Sequence, residues 1–594
     1  MPTPPPCAWQ FVTAILALSV PVMPMVAQVA AREDGQWTMP GKDYGATRYS
    51  GLAKITAANA SQLKPVWTFS TGVLKGHEGQ PLVVGTMMYV VTPFPNVLYA
   101  FDLTQPGYPL KWKYRPDVDE NALGMACCDA INRGAFYSQG KVVYNTLDGH
   151  TIAVDAKTGR EVWNVKVGDL AGGETMPMAP MVVGNRVIVG PSGGEFGIRG
   201  WTKALDLATG APAWTGYNVG SDADMLARPG TFKPFYDKAP DLGLTTWPTD
   251  VWKQAGAPVW GWLSYDPALD LAYFGVGNPG PYNAEQRAGD NKWTNSVLAR
   301  RPGDGSLIWA YQFTPNDNWD YDSNAEMILA DLTIKGVRRK ALVHFDKNGF
   351  AYTMDRTTGE VLLAEPYVFT NWAKKIDLTT GRPVLDSTKL TGASRGEAKY
   401  ICPSLEGGKS PASPAAYSPR TGLFYVSTVN LCMNYATEKT TRLRGTPYIG
   451  ATTPYQAGPG GGHLGAFVAW DATTGRRVWE IKEKFPLWSG VVATAGDVVF
   501  YGTLDGWFRA ANARTGKVLW SFKVGSGVVA APITFTGPDG KQYVAVYSGI
   551  GGDWALLAGD LRSDDPKDVR DPSDYARELG RHTSQGGMVW VFGL

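Results

Sequence analysis

Short apolar runs recur along the whole chain, each closed by a turn that carries glycine. KVVYNT, NRVIVG, DVVFYGT and KQYVAVYSG are of this kind, rich in Val and Tyr. Runs of that length and composition predict short β-strands. A second pattern falls between them: a small or apolar residue, Asp or Asn, a turn ending in Gly, then Trp. It reads AVDAKTGREVW to Trp163, ALDLATGAPAW to Trp214, AWDATTGRRVW to Trp479 and AANARTGKVLW to Trp520. Looser copies end at Trp112 and Trp309, and TMDRTTGEVLL around Asp355 lacks the Trp. Trp112, Trp163 and Trp214 are spaced 51 apart, and Trp479 and Trp520 are 41 apart. Periods of this size mark the blades of a propeller. The Asp-x-x-Thr-Gly unit predicts a tight hairpin, with glycine at the positive φ that other residues avoid. The Trp then fills the seam between neighbouring sheets, where a large apolar side chain stabilises most. Seven or eight four-stranded blades account for the length, and a ligand would sit on the axis where they converge.

Two stretches break the repeat: Asp222 to Gln254 and Tyr367 to Gly408. Insertions of this kind are expected to build a rim or lid over a site. The tail, Asp560 to Arg581, is charged and expected at the surface.

Composition agrees with an all-β chain. Of 594 residues, 70 are Gly, 22 Trp and 27 Tyr, and only 19% are charged. Net charge is +2 with no long basic run, so nucleic-acid binding has no electrostatic footprint.

The N-terminus predicts export. Phe11 to Val22 is largely apolar, small residues Ala27, Val29, Ala30 and Ala31 follow, and then polar Arg32, Glu33 and Asp34. This is the layout of a signal peptide over residues 1–31. MPTPPPCAWQ departs from it by having neither Lys nor Arg. The alternative, a membrane anchor, meets Pro21 and Pro24 in a run short for a span. No later segment reads as transmembrane. Residues 32–594 are then expected to form a single propeller domain.

The five cysteines are Cys7, Cys127, Cys128, Cys402 and Cys432. No CxxCH occurs, so the chain carries no attached c-type haem, and no CxxC pair suggests zinc. Loss of Cys7 with the leader leaves an even number. Adjacent Cys127 and Cys128 are either two free thiols or a strained vicinal disulfide. In an exported protein oxidation is favoured, and the compact ring could press against a planar cofactor. Cys402 and Cys432 would then form an ordinary bridge.

The stretch TPNDNWDYDSNAE carries Asp317, Asp320 and Asp322. In an extended segment, Asp320 and Asp322 would face the same side. Two such carboxylates repel unless a proton or cation lies between them, and hard cations take oxygen ligands. The alternative is a loop whose aspartates cap turns.

MACCDAINRGAFY, GGEFGIRGW, GVGNPGPYN with RAGDNKWT, and TPNDNWDYDSNAEM together resemble the large subunit of pyrroloquinoline-quinone (PQQ) alcohol dehydrogenases. HFDKNGFAYTMDRTTG, LWSGVVATAGDVVFYGTLDG and GIGGDW extend the resemblance over essentially the whole mature chain. It implies an eight-bladed β-propeller with tryptophan-docking repeats, the quinone in the central funnel, a metal on it, and export to the periplasm. Cys127–Cys128 would cover one face of the quinone and Trp260 the other. Glu78, Arg133, Ser192, Gly193 and Gly194 would bind its carboxylates and carbonyls, and Thr175 stands near a cofactor-binding position. Glu195, Asn278 and Asp320 match metal ligands, and Asp320 also matches the catalytic base. Lys347 matches the basic residue near the reactive carbonyl, and Trp488 and Trp554 match aromatic contacts. The chain departs from methanol-oxidising members at Pro177, Pro258 and Ser410. With LCMNYATEK, those departures lean the expected specificity towards ethanol-type breadth.

Asp322 separates the metals. The resemblance to lanthanide-dependent members includes an acid two residues after the base, which calcium-type members lack. Ligand charge points the same way, since Glu195, Asp320 and Asp322 supply three negative charges. The expected activity is oxidation of small primary alcohols, with hydride passing to the quinone C5 carbonyl and electrons to a separate soluble cytochrome c. A homodimer is the implied assembly. The rival readings are the same enzyme with Ca²⁺, and a non-catalytic propeller scaffold, which has no reason to keep the cysteine pair with Glu195, Asn278 and Asp320.

Overall fold

The computed structural model describes residues 1–3, 33–392, 394–552 and 578–594. The expected signal peptide, Cys7, Trp554 and most of the charged tail lie outside them. Gly35–Leu594 is one compact unit. Among the described residues, no helix is long and apolar enough to cross a membrane.

Eight sheets carry the fold among the described residues, seven of them four-stranded and antiparallel and one, over 492–523, widened by a fifth, parallel strand at Tyr49–Ser50. Seven are consecutive hairpin stacks: 82–114, 135–166, 181–217, 263–312, 328–366, 416–483 and 492–523. The eighth takes Ile533–Thr536, Gln542–Ser548 and Met588–Gly593 from the end of the chain and Lys64–Ser70 from near its start. Thr68 pairs with Trp590 across that junction. In most sheets burial falls from first strand to last: Met181–Val183 is mostly buried, whereas Pro212–Tyr217 alternates exposed and buried; the fourth is the exception, its last strand Leu307–Gln312 staying buried. The eighth follows the same order with Lys64–Ser70 outermost and exposed. The inner strands are therefore apolar on both faces, and the outer ones face water on one side.

The repeat turns behave as their residues dictate. Asp155 Oδ1 accepts from the backbone N–H groups of Lys157 and Thr158 at 3.1 and 2.7 Å. Gly159 closes the turn at φ +72°. Each Trp docks on the corresponding turn of the next sheet. Trp163 donates from Nε1 to Leu207 O at 3.0 Å, Trp214 to Pro302 O at 2.8 Å, and Trp309 to Arg356 O at 3.2 Å. The rings lie flat against the turn glycines: a Cβ on Gly210 would stand 2.9 Å from the Trp163 ring, and one on Gly305 2.6 Å from Trp214. Where the repeat lacks its Trp, Leu363 and Glu365 lie against Gly475 instead. Trp67, on the outer strand of the eighth sheet, donates to Gly107 O in the first at 2.8 Å. The same dock thus closes the ring.

The insertions differ in role. Residues 222–254 pack on the outside of the third and fourth sheets, with Met225 and Trp247 in their core, and supply no wall of the central cavity. The expectation of a rim there is corrected: the apolar anchors of that loop are satisfied at the blade flank. Tyr367 to Gly408 does reach the cavity, through Leu405 and Glu406. Cys402–Cys432 ties it to the strand Leu431–Thr437.

Two outcomes follow from this packing. Gly210→Ala meets both a left-handed backbone and the Trp163 ring, whereas Gly140→Ala, at φ +77° with nothing within 4 Å, meets only the first. Denaturant melts should show about 2–4 kcal/mol lost at Gly210 and about 1 kcal/mol at Gly140. His77, buried beside the ring closure with Thr71 Oγ1 2.8 Å from Nε2, is pushed down by burial to about 3. It stays neutral in the fold while the unfolded chain protonates below about pH 6.5. Stability present above pH 6.5 is therefore lost on acidification, by about 1.4 kcal/mol per pH step down to about 3. His77→Asn should flatten that slope in melts from pH 7 to 4.

Candidate active site

A cavity of about 210 Å³ opens on the axis where the first strands converge. Its walls include Cys127, Cys128, Arg133, Thr175, Ser192, Glu195, Trp260, Asp320, Asp322 and Lys347. These come from loops between and within six successive stretches of chain, so no local segment holds the site.

The acidic stretch divides its aspartates by role. Asp317 caps the turn: its carboxylate accepts from the N–H groups of Trp319 and Tyr321, both at 2.9 Å, and from Asn295 Nδ2 at 3.0 Å. Asp320 and Asp322 are thereby released into the cavity. The route is not the extended one anticipated, because Asp320 sits at φ +66°. The two carboxylates still meet, and what lies between them is an ammonium. Lys347 Nζ is 3.1 Å from Asp320 Oδ2 and 2.9 Å from Asp322 Oδ2. Asp322 Oδ1 also accepts from the Asn278 N–H at 2.8 Å.

Lys347 is placed by its turn. Asp346 Oδ1 accepts from the Asn348 N–H at 2.9 Å, His344 Nε2 lies 3.0 Å from Asp346 Oδ2, and Gly349 takes φ +93°. Asn348 Nδ2 reaches Thr314 Oγ1 at 3.1 Å, tying this turn to the acidic stretch. Burial pulls the Lys347 ammonium down, but Asp320 and Asp322 outweigh it and hold the lysine well above its ordinary range. Burial raises the Asp320 carboxyl well above the usual carboxylate range. Lys347 opposes that shift, and Asp322, Glu195 and Asp317 add to it.

Among the described residues, no three His, Cys, Asp or Glu side chains are gathered tightly enough to hold a metal by themselves. The oxygen set here differs in kind, with an amide beside carboxylates. Asn278 Oδ1 and Asp320 Oδ1 are buried and accept no hydrogen bond. Such atoms are costly unless a donor or cation satisfies them. Two glycines leave the space open: a Cβ on Gly194 would lie 2.7 Å from Asn278 Oδ1, and one on Gly277 2.5 Å from Asp322 Oδ1. Glu195 lines the same cavity with the Tyr282 hydroxyl 3.5 Å from its Oε1. An all-oxygen, carboxylate-rich set fits a hard cation.

The remaining walls suit a flat anionic group. Cys127 and Cys128 are joined, their Cα atoms 3.8 Å apart. The Arg133 guanidinium pairs with Glu78 Oε2 at 2.9 Å, donates to Trp260 O at 3.0 Å and stands 4.7 Å over the Trp260 ring. Ser192 donates from its backbone N to Thr175 O at 2.8 Å, which sets both at the wall beside Pro177. Gly193 turns the chain at φ +118° ahead of Gly194 and Glu195. Glu78 stands one shell back, behind Arg133. Trp488 is buried with Leu431, Leu504 and Ile550 and is not a cavity wall.

The structure adds wall residues that sequence reasoning missed: Asp129, Tyr282, Leu405, Glu406, Ile449 and Tyr455. Asp129 follows the cysteine pair directly, a position that could have drawn attention. Glu406 comes from a loop and Tyr455 from the short strand Tyr455–Ala457, neither within a motif.

The family model for the β-propeller domain of PQQ glucose/ethanol/alcohol dehydrogenases matches residues 37–365 and 480–544. The lanthanide-dependent methanol dehydrogenase of Methylacidiphilum fumariolicum (strain SolV) is 51% identical over 95% of this chain and 93% of its own length. The protein of the same name from Methylorubrum extorquens is 46% identical over 93% of each. The solved structure of a europium-containing methanol dehydrogenase superposes with a TM-score of 0.91 at 51% identity, covering 95% of this chain and 99% of the other. Matched from the first blade to the last by chains of like length, the protein belongs to the PQQ-dependent alcohol dehydrogenases.

Proposed function

We propose that the protein is a PQQ- and lanthanide-dependent alcohol dehydrogenase that oxidises small primary alcohols to aldehydes in the periplasm and passes electrons to a soluble cytochrome c. The observation that carries this reading is Asp322, whose carboxylate lines the cavity with Asp320 and accepts the N–H of Asn278, a residue whose amide oxygen is buried and unsatisfied. Relatives that carry lanthanide in their names, at 51% and 46% identity, support it. Glu195, Asn278, Asp320 and Asp322 would hold the cation. Three carboxylates match a trivalent ion better than a divalent one. Periplasmic placement rests on the apolar leader and the two disulfides. A homodimer is the assembly proposed for the mature chain.

Bound in this cavity, the quinone would supply a hydride acceptor and the cation a Lewis acid beside it. The protein supplies the rest. Asp320, buried and crowded by Asp322 and Glu195, is a strong proton acceptor for the alcohol hydroxyl. Lys347 keeps positive charge beside it where negative charge builds on the acceptor oxygens. The disulfide and Trp260, both cavity walls, would hold the two faces of the ring system, and Arg133, braced by Glu78, would meet its carboxylates. A cavity of about 210 Å³ shared between cofactor and substrate favours small alcohols. Pro177 lines it, but the leaning to ethanol-type breadth is weakened. The relatives named for methanol and lanthanide share about half their residues with this chain, against 36% for the quinoprotein ethanol dehydrogenase of Pseudomonas putida.

Dye-linked oxidation of methanol and ethanol by the metal-free protein, given PQQ and either La³⁺ or Ca²⁺, tests the reading. Activity is expected with La³⁺ alone, and Asp322→Ala should abolish it; activity with Ca²⁺ alone would sink the lanthanide assignment. Asp320→Asn should lower kcat/KM about 10²–10⁴-fold in the La³⁺ enzyme while leaving the fold intact by circular dichroism.

A further inference from the structure

The apolar walls of the cavity belong to two different parts of the core. Ala126 and Leu147 pack with Ala122, Ala130 and Leu170 in a small cluster around the cysteine pair. Leu405 and Ile449 pack instead on the large cluster that contains Tyr282, Trp319, Tyr321 and Met433. Trp319 and Tyr321 are the two chain neighbours of Asp320. The second group therefore stands on the side of the base, and the first on the side of the disulfide.

Backbone contacts fix the second group there. The Leu405 N–H donates to Met433 Sδ at 3.1 Å. The residues after it cross over Lys347: a Cβ on Gly407 would stand 2.9 Å from Lys347 Cα, and the Gly408 N–H donates to Lys347 O at 2.9 Å. Ile449 O accepts the Tyr282 N–H at 3.0 Å, and the Tyr448 N–H beside it donates to Glu195 O at 2.6 Å. Leu405 is thus tied to the turn of Lys347, and Ile449 to the loop of Glu195. Both side chains are half-buried and both line the cavity. Neither comes from a blade repeat. Leu405 lies in the insertion that Cys402–Cys432 ties down, and Ile449 in the loop between the strands Leu431–Thr437 and Ala451–Thr452.

An alcohol whose hydroxyl meets Asp320 has to lay its carbon chain against a wall. Charged walls gain nothing from a methylene, whereas an apolar wall gains with each one covered. We infer that Leu405 and Ile449 form the seat of the alcohol's carbon chain and set how long a straight primary alcohol the enzyme takes. The inference rests on the substrate reading proposed above. Both are branched side chains, and their outer carbons fill space that further methylenes of a substrate would need.

Kinetics of the full-length holoenzyme, loaded with PQQ and La³⁺, on methanol, ethanol, 1-butanol and 1-hexanol test this, with PQQ affinity read separately by absorbance titration. Leu405→Ala and Ile449→Ala are each expected to raise kcat/KM for 1-butanol relative to methanol about tenfold, while PQQ affinity stays unchanged. Ile449→Val, which removes a single methyl group, should shift the ratio the same way by a smaller factor. Leu405→Phe should move it in reverse and lower ethanol against methanol. Leu147→Ala, in the other cluster, should weaken PQQ binding and leave the chain-length ratio alone. Parallel losses on every alcohol in both alanine variants would mark a merely structural role and overturn the inference. So would an unchanged ratio, or a loss of PQQ affinity at Leu405→Ala and Ile449→Ala, which would make this wall part of the cofactor seat. A wild-type holoenzyme that oxidises no primary alcohol fails earlier, at the substrate reading itself, and is recognised without any variant.

Discussion

Everything in this protein depends on the ring being closed. The pairing of Lys64–Ser70 with Met588–Gly593 joins two ends of a chain of 594 residues. Without that junction the eight sheets would be an open fan with two exposed edges, and the first strands would not converge. Convergence makes the cavity, because its walls come from loops of nearly every blade. The seams hold the ring at the right radius. Most are an indole laid on a glycine turn and pinned by Nε1–H to a backbone carbonyl of the next sheet; Trp112 lies on Gly159 without that bond, and Leu363 and Glu365 fill one seam instead. A side chain at those glycines would push neighbouring blades apart.

The closed ring permits what an open surface could not: a cluster of buried charge. Glu195, Asp320, Asp322 and Glu406 share one cavity with Lys347 and Arg133. Removing isolated carboxylates from water is very costly, and pairing is what makes it tolerable. Here the pairing is done by few groups, each used twice. Lys347 serves two aspartates, and Arg133 serves Glu78 and the face of Trp260. The buried oxygens left over, on Asn278 and Asp320, are where a hard cation would complete the balance. Alcohol oxidation needs that arrangement, since a base and an electrophile must work side by side without neutralising one another.

A second buried charge layer supports the first. Glu326 Oε2 pairs with Lys409 at 2.8 Å, and its Oε1 accepts from the Ala415 N–H at 2.9 Å. The Arg48 guanidinium, brought in by the N-terminal segment, donates to Val491 O and Pro532 O on the first-strand side of two late blades. The far end of the axis is thus stoppered by polar groups whose partners are mostly backbone.

Much of this was legible along the chain. The Asp-x-x-Thr-Gly…Trp repeat specifies hairpin and seam from local chemistry alone, because the Asp caps the turn, the Gly accepts positive φ and the Trp needs a flat partner. Adjacent Cys127 and Cys128 left two free thiols or a vicinal bond open, with export favouring the bond, and the pair Asp320 and Asp322 announced a crowded negative site. Other features had no local signal. Asp317 caps its own turn locally, but Asn295, 22 residues earlier, also holds its Oδ2 there, and no local pattern announced that contact. That Lys347 would stand between Asp320 and Asp322 depended on two loops meeting across the axis. Glu406 and Tyr455 joined the site only through insertions whose paths no periodicity describes. Local sequence determined the blades and the chemistry available to them. Which of those groups face one another was decided by ring closure, because contacts between distant loops exist only once all eight sheets share an axis.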